Sequence, residues 1–155
     1  MIEILPVEDS HIPGILKLWE EFMDFHEDID PRFPMRDDAQ SSFKEHLKNK
    51  IDKKESHVLT AMDNGNLIGF GIAEISSYPP IFQRETYGII DTMVVSADFR
   101  RKGIGEKILS SIFEWFESFN IHRIELSVAA LNQVGYSFWR KHGFKDYVHR
   151  LYLDR

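Results

Sequence analysis

The chain of 155 residues contains no cysteine. Disulfide frameworks, thiolate metal sites and a protein-bound acyl-cysteine intermediate are therefore excluded, because each requires a cysteine side chain. Most of the histidines lack the close spacing of metal ligands, and the carboxylates form no metal-binding loop pattern. We therefore expect no metal, and ordinary surface or packing roles for His26, His46, His57, His122, His142 and His149.

Long hydrophobic runs and an excess of basic residues are also absent. No stretch approaches the roughly 20 apolar residues of a membrane span, and Met1 to Pro6 lacks the basic start of a signal peptide. We expect a cytoplasmic protein with no membrane partner. The 19 Lys and Arg against 25 Asp and Glu give a net charge of -6, which argues against nucleic-acid binding.

The chain is 43% hydrophobic, which suits one compact domain over residues 1–155. In the first half, two helices follow a first strand, and an Asn-Gly turn then joins two strands. Asp9 is the expected cap of the first helix. The predicted elements are a strand over 2–7, a helix whose apolar positions fall at helical spacing, a second helix bearing Phe43, Leu47 and Ile51, and strands over 57–61 and 67–75. The apolar positions of the first helix are Ile12, Ile15, Leu16, Trp19, Phe22 and Met23.

The second half alternates strands and helices. Its predicted elements are a buried strand over 87–95, a helix from Gly103 to about Phe119, a strand over 121–128, a short helix over 131–142 and a last strand over 144–153. The order βααβββαβαβ predicts an α/β (α+β) fold with a mixed, mostly antiparallel central sheet flanked by helices.

A short basic loop lies between the buried strand and the following helix. Its sequence is Arg100-Arg101-Lys102-Gly103-Ile104-Gly105. Glycines allow close approach of a ligand, and the main-chain N–H groups at a helix start can converge on an anion. Taken alone, such a loop is a weak signal.

In its longer context the loop resembles a family signature. Val95 to Gly105 is similar to the strand, tight turn and Arg-x-x-Gly-x-Gly loop of GNAT acetyltransferases. Asn132 to Phe144 resembles the second motif of that family, an Asn followed by a short helix that ends in Gly-Phe. The resemblance covers residues 91–144 specifically and predicts an acetyl-CoA-dependent N-acetyltransferase of this fold.

The resemblance implies a set of donor-binding residues. The loop of the family binds the coenzyme A pyrophosphate, and the end of the preceding strand pairs with the pantetheine arm, where the Met93 amide could polarise the thioester carbonyl. Asn132 corresponds to an Asn that binds pantetheine, although it is equally suited to capping the short helix. The implied donor-binding residues are Met93, Val94, Val95, Arg100, Arg101, Lys102, Gly103, Ile104, Gly105 and Asn132.

An amine acceptor must lose a proton before it attacks, because an alkylamine has a pKa of about 10. Asp91 occupies a position that resembles the catalytic Glu of aminoglycoside-type relatives, and it is the candidate base. Glu85, deprotonation by bulk water and a purely structural role for Asp91 are the alternatives.

One residue departs from the family pattern. Many members have a Tyr that protonates the departing thiolate, and Trp139 occupies that position here. An indole N–H donates hydrogen bonds but is not an acid of this kind. Tyr136, one turn earlier, is the predicted substitute, with Ser137 as an alternative.

The acceptor is predicted to be a small-molecule amine. Carboxylates around the end of the first helix would suit a cationic, polyamine-like or aminoglycoside-like acceptor, although a solvated helix face explains most of them: Glu20, Glu21, Asp24, Glu27, Asp28 and Asp30. A protein or peptide N-acetyltransferase and a non-catalytic acyl-CoA-binding regulatory module remain open, as does a longer acyl donor. Phe113, Trp115 and Phe116 spread around one helix, which favours a homodimer.

Overall fold

The structure is a computed structural model and describes residues 1–32 and 34–155, which form four helices and five strands. The strands are β1 (Ile2–Pro6), β2 (Ser56–Asp63), β3 (Asn66–Ser77), β4 (Thr86–Val95) and β5 (Ile124–Glu125). The helices are α1 (Ile12–Ile29), α2 (Ala39–Asp52), α3 (Ile104–Ser118) and α4 (Gln133–Lys141). Short 3-10 turns, Asp9–His11 and Ala97–Phe99, precede α1 and α3.

The five strands form one sheet in the order β1-β2-β3-β4-β5. The first four strands are antiparallel neighbours, whereas β5 runs parallel to β4. The predicted mixed, mostly antiparallel sheet is thus confirmed. The Asn-Gly hairpin is also present, with Asn64 and Gly65 both at positive φ (49° and 82°), as such a turn requires.

Helices cover both faces of the sheet, so the chain has two hydrophobic layers. On one face α3 buries a stripe at helical spacing, made of Ile104, Ile108, Ile112 and Phe116. On the other face α1 and α2 bury Ile12, Ile15, Leu18, Phe43 and Leu47 against the sheet. The two layers hold β4 from both sides, and the cavity described below opens beside its carboxyl-terminal half.

The structure corrects two of the predicted strands. The strand expected over 121–128 pairs with β4 only at Ile124 and Glu125. The strand expected over 144–153 is not formed, although aromatic and β-branched residues such as Tyr147, Val148 and Tyr152 are common in strands. Its residues have no ladder partner in the described part of the chain, and large apolar side chains such as Leu151 are 89% exposed. The pattern therefore indicated a strand for which the sheet provides no neighbour.

The start of the first helix also differs from the prediction. Asp9 is not a helix cap but the first residue of the 3-10 turn Asp9–His11, and His11 is the N-cap of α1. The main-chain N–H of Glu8 donates to Nδ1 of His11 at 3.0 Å. The imidazole therefore forms the local hydrogen bond of this turn. Phe33, in the connector between α1 and α2, lies outside the described residues.

The aromatic residues of α3 pack within the chain. Phe116 is fully buried, Trp115 stacks on His57 with ring centroids 5.1 Å apart, and Phe113 stacks on Phe144. These contacts account for the aromatic residues that suggested a homodimer. A homodimer stays a prediction.

An almost buried ion pair joins α2 to the sheet. The side chain of Lys50 is 10% exposed, and its ammonium binds Glu74 on β3. Removing one member of such a pair leaves the other charge buried without compensation. Glu74→Ala is therefore expected to lower the free energy of unfolding by about 3 kcal/mol, measured by urea denaturation.

Glu45→Ala, at an exposed position on the same helix, is the matched control. Its free energy of unfolding should change by less than about 0.5 kcal/mol. The double variant Lys50→Met/Glu74→Leu should recover most of the loss, because it leaves no unpaired charge. Equal unfolding free energies for Glu74→Ala and the control would contradict this role of the pair.

His57 on β2 makes stability depend on pH. Burial lowers the pKa of this imidazole below its usual range. Between the lowered pKa and about 6.5 the unfolded chain binds more protons at His57 than the folded protein does, so the contribution of this residue to stability falls as the pH falls. On acidification from pH 7.5 to 5.5, the free energy of unfolding of the wild type should therefore fall relative to that of His57→Phe. A difference that stays constant over this range would refute the linkage.

Candidate active site

A cavity of about 950 Å³ opens where β4 and β5 diverge. Only Gly88 and Ile89 of β4 pair with β5, so within the described residues β4 has no neighbouring strand on that side from Ile90 to Val95. The cavity walls come from this half of β4, the start of α3, the segment after β5, α4 and the end of α1. Its volume lies at the upper end of the range for small-molecule sites, about 300–1,000 Å³.

The start of α3 forms one end of the cavity. Gly103 is the N-cap of α3 in the left-handed conformation (φ 76°), and Arg101 is also at positive φ (61°). A glycine N-cap has no side chain to bind the first N–H groups of the helix, which have no intrahelical acceptor. These N–H groups and the helix dipole favour an anion at this position. The loop thus fits a phosphate group.

The basic residues of this loop differ in their placement. Arg100 and Arg101 line the cavity, together with Gly103, Ile104 and Gly105. Lys102 does not line it, and its ammonium lies over the ring of Phe99, 5.1 Å from the centroid. The guanidinium of Arg100 lies 5.7 Å from the ring centroid of Phe25 on α1. Of the predicted loop residues, Lys102 alone is held outside the cavity.

The main chain of β4 presents hydrogen-bonding groups to the cavity. The N–H of Ser96 donates to the carbonyl of Ile68 on β3 at 2.7 Å. Because main-chain groups alternate between the two sides of a strand, those of Met93 and Val95 point away from β3. No strand of the described chain covers β4 on that side at this level. An extended ligand lying in the gap could pair with them as a strand would.

Asp91 lies at a bulge in β4. Thr92 pairs with Ile72 and Ile90 pairs with Ala73, so Asp91 is the extra residue between two successive pairs. Its side chain is 34% exposed and lines the cavity, and its Oδ2 lies 3.1 Å from Nε2 of His46 on α2. The alternative base Glu85 precedes β4 at the other end, about 20 Å along the strand at 3.3 Å per residue, and does not line the cavity.

Asn132 is 9% exposed and caps α4. Its Oδ1 accepts from the N–H of Gly135 at 3.0 Å, and its Nδ2 lies 3.4 Å from Nε2 of His26 on α1. His26 Nδ1 lies 2.8 Å from the carbonyl of Phe22 and must donate to it, which leaves Nε2 as an acceptor. The capping role is therefore present, and Asn132 also links α4 to α1 while it lines the cavity.

The two candidate proton donors for a departing thiolate have different positions. Trp139 lines the cavity and packs edge-on against Phe138 and Phe144. Tyr136 does not line it, and its hydroxyl lies 3.1 Å from each carboxylate oxygen of Asp146. The structure therefore does not bring Tyr136 to the site. Ser137 is exposed and does not line the cavity either.

Glu106 and Lys141 pair beside the basic loop at the start of α3. Both line the cavity, and the Lys141 ammonium donates to Glu106 Oε1 at 3.3 Å. A main-chain N–H at the start of α3 is the main cause that lowers the pKa of Glu106, and Lys141 adds to it. The carboxylate therefore stays ionised, and the pair joins α3 to α4.

Sequence reasoning missed the contribution of α1 and α2. Phe22, Phe25 and His26 line the cavity from α1, and His46 on α2 contacts Asp91. The sequence carried one signal for the first group, because residues 22, 25 and 26 share one helix face. No signal in the sequence paired His46 with Asp91, which is 45 residues away.

The acidic residues near the end of α1 lie outside the cavity. Among the described lining residues the carboxylates are Asp91 and Glu106. Asp30 is paired with Arg32, whose side-chain hydrogen bonds lower the pKa of Asp30.

Within residues 1–32 and 34–155, no three His, Asp or Glu side chains group closely enough to hold a metal. No helix in that part is long and apolar enough to cross a membrane.

Comparison with known proteins identifies related sequences and structures. The acetyltransferase (GNAT) family matches residues 15–144. A predicted acetyltransferase from Clostridium acetobutylicum, solved with acetyl-CoA, has a TM-score of 0.81 at 20% identity, over 99% of this chain and 96% of its own. An aminoglycoside 6'-N-acetyltransferase from Acinetobacter haemolyticus has a TM-score of 0.78 at 17% identity, over 99% and 97%.

A transcriptional regulator from Bacillus halodurans has a TM-score of 0.81 at 15% identity, with all of both chains covered. No curated protein matches the sequence significantly. At these identities the structural likeness shows the fold and not the substrate, because one fold can host several functions.

Proposed function

Because the chain belongs to the acetyltransferase (GNAT) family, we propose that it transfers an acetyl group from acetyl-CoA directly to a primary amine of a small molecule, with both substrates bound. One observation carries the proposal. The anion-binding start of α3, the unpaired main chain of β4 and the carboxylate of Asp91 all open on the same cavity.

Acetyl-CoA supplies a thioester whose carbonyl carbon is the electrophile. The first N–H groups of α3, Arg100 and Arg101 would bind its pyrophosphate. The main-chain groups of Met93 and Val95 would pair with its extended arm, and the Met93 N–H would stabilise negative charge on the thioester oxygen. The cavity that they line fits an elongated ligand that begins at a helix terminus and continues along a strand.

Asp91 is the proposed base. Its partly exposed carboxylate lines the cavity close to Met93 on the same strand. It would accept a proton from the acceptor amine, directly or through a water, so that the nitrogen lone pair can attack the carbonyl carbon. The C–N bond then forms, the C–S bond breaks, and the electron pair leaves on the thiolate sulfur.

The thiolate can depart without an acid from the protein. A thiol pKa of about 8.5 places the thiolate only about 2 kcal/mol above the thiol at pH 7. Trp139 occupies the cavity wall and offers an indole N–H only. Protonation of the sulfur by solvent is therefore sufficient for slow turnover.

Tyr136→Phe tests whether the tyrosine contributes. Its hydroxyl is held by Asp146 outside the cavity, so the variant is expected to change kcat by less than about twofold, below 0.5 kcal/mol of barrier. Steady-state thiol release measures this. A tenfold loss of kcat at unchanged thermal stability would instead support Tyr136 as the acid.

A cationic acceptor is the proposed substrate class. Asp91 carries a negative charge beside the unpaired part of β4, and Phe22 and Phe25 of α1 line the same cavity. A carboxylate and aromatic rings together suit an ammonium group with an apolar or sugar framework. Because an aminoglycoside 6'-N-acetyltransferase has the same fold, aminoglycosides are included among the acceptors to be tested.

Trp139 favours a second candidate, a non-catalytic acyl-CoA-binding module. Trp139 lies in the cavity wall, at the position where the family resemblance implies a tyrosine acid, and its indole offers no acidic proton. Such a module would bind acetyl-CoA without acceptor-dependent thiol release. A protein or peptide acceptor is the other alternative to a small amine.

Incubation of the protein with acetyl-CoA and a panel of polyamines, aminoglycosides, amino acids and short peptides separates these functions. Thiol release and mass spectrometry of the products are the readouts. We expect release and N-acetylation with a small cationic amine, whereas turnover of peptides alone would favour the peptide enzyme. Binding of acetyl-CoA by calorimetry without any release would favour the regulatory module, and absence of binding would overturn both proposals.

A further inference from the structure

We propose that His46 is a positioning residue for Asp91, an inference that rests on the proposed function. In this arrangement the imidazole Nε2–H donates to Asp91 Oδ2 and leaves Oδ1 free to take the proton of the acceptor amine. The 3.1 Å contact between the two side chains joins α2 to the bulge of β4 beside the cavity.

The direction of the hydrogen bond follows from its chemistry. An ionised carboxylate only accepts, so the hydrogen must lie on Nε2 of His46. Asp91 is the extra residue of a bulge and its side chain is partly exposed, so the strand ladder alone does not orient its carboxylate. A hydrogen bond to a charged acceptor is short and directional enough to do so.

Packing fixes His46 in place. Phe43, one turn before His46 on α2, and Leu47, the next residue, are buried, and Phe43 stacks on Trp19 of α1 with centroids 4.3 Å apart. The His46 imidazole is tilted relative to the Phe43 ring, with ring centroids 6.1 Å apart. The helix thus presents His46 to the bulge from a rigid support.

No other side chain competes for this contact. In the part of the chain that the structure describes, His46 is the only side chain that hydrogen-bonds Asp91. Lys50, the cation one turn further along α2, is bound to Glu74. Because His46 and Asp91 are 46% and 34% exposed, their pair contributes little to folding stability. Its effect should therefore appear in turnover.

Variants of His46 test this with an acceptor that the wild type acetylates. His46→Phe keeps a planar ring but has no donor, and we expect kcat to fall roughly ten- to a hundredfold, with the KM for acetyl-CoA and the thermal midpoint unchanged. His46→Gln retains an N–H donor and should recover most of that loss. His122→Phe, an exposed histidine outside the cavity lining, is the matched control. Equal kcat values for His46→Phe and the wild type would overturn the inference.

A spectroscopic measurement tests the hydrogen bond without turnover. Nitrogen-15 NMR is recorded at about pH 8.5, where an ordinary imidazole is neutral. It should show His46 as the Nε2–H tautomer in the wild type and as a mixture of the two tautomers in Asp91→Ala. An Nδ1–H tautomer in the wild type would overturn the inference. If no acceptor is acetylated, the proposed function fails while the tautomer still decides this contact, so the two failures are distinguishable.

Discussion

Asp91→Asn is expected to lower kcat by about 10²- to 10⁴-fold, the usual contribution of a general base. The amide has nearly the same shape as the carboxylate, and its oxygen can still accept from His46, so the geometry of the bulge is retained. It cannot take a proton from the amine at neutral pH. Steady-state thiol release with the acceptor found in the panel measures the loss.

Acetyl-CoA affinity should be unchanged in this variant, because Asp91 lies apart from the anion-binding start of α3. Glu85→Gln is the matched control, since it makes the same chemical change at the other end of β4, outside the cavity. A kcat within about threefold of the wild type, well under 1 kcal/mol of barrier, would leave deprotonation to bulk water and exclude Asp91 as the base.

Gly103→Glu is expected to weaken acetyl-CoA binding by about a hundredfold or more, equivalent to at least 2.7 kcal/mol. The new carboxylate would lie at the N-cap of α3, where the pyrophosphate is expected, and like charges at such a contact cost several kcal/mol. Isothermal titration calorimetry with acetyl-CoA measures the change.

Gly65→Glu separates this effect from backbone strain. Gly65 and Gly103 have similar φ values, 82° and 76°, and an added Cβ meets no atom within 4 Å at either position. Both variants should therefore lose a similar amount of stability, about 1–2 kcal/mol. Only Gly103→Glu should lose affinity for acetyl-CoA. An equal loss of affinity in both variants would show that the loop does not contribute to acetyl-CoA binding.

Much of the fold could be predicted from the sequence because local patterns specify it. The stripe of α3 repeats at helical spacing and points to one face, and the Asn64-Gly65 pair allows the turn of the β2–β3 hairpin. The last strand could not be predicted correctly from its residue types, because a strand also needs a neighbour with free main-chain groups. Residues 144–153 include aromatic and β-branched residues common in strands but have no ladder partner in the described part of the chain.

The candidate site divides in the same way. The predicted donor end is a continuous segment from Met93 to Gly105, and all of its predicted donor-binding residues except Lys102 line the cavity. Their binding of the donor stays a prediction. The acceptor end is assembled from α1, α2 and the bulge of β4, which are far apart in sequence. Tyr136 shows the limit most clearly. Trp139, three residues later on α4, lines the cavity, whereas the Tyr136 hydroxyl contacts Asp146. Sequence spacing alone did not distinguish these two positions.

The sequence by itself determined the order of elements as far as α4, the position of the basic, glycine-containing loop before α3 and the presence of a carboxylate in β4, because each depends on neighbouring residues. Only the tertiary structure decided that β4 and β5 diverge, that Asp91 lies in a bulge and that His46 and His26 reach Asp91 and Asn132. These contacts depend on how α1 and α2 pack on the sheet, and that packing is set by the whole core and by no single segment.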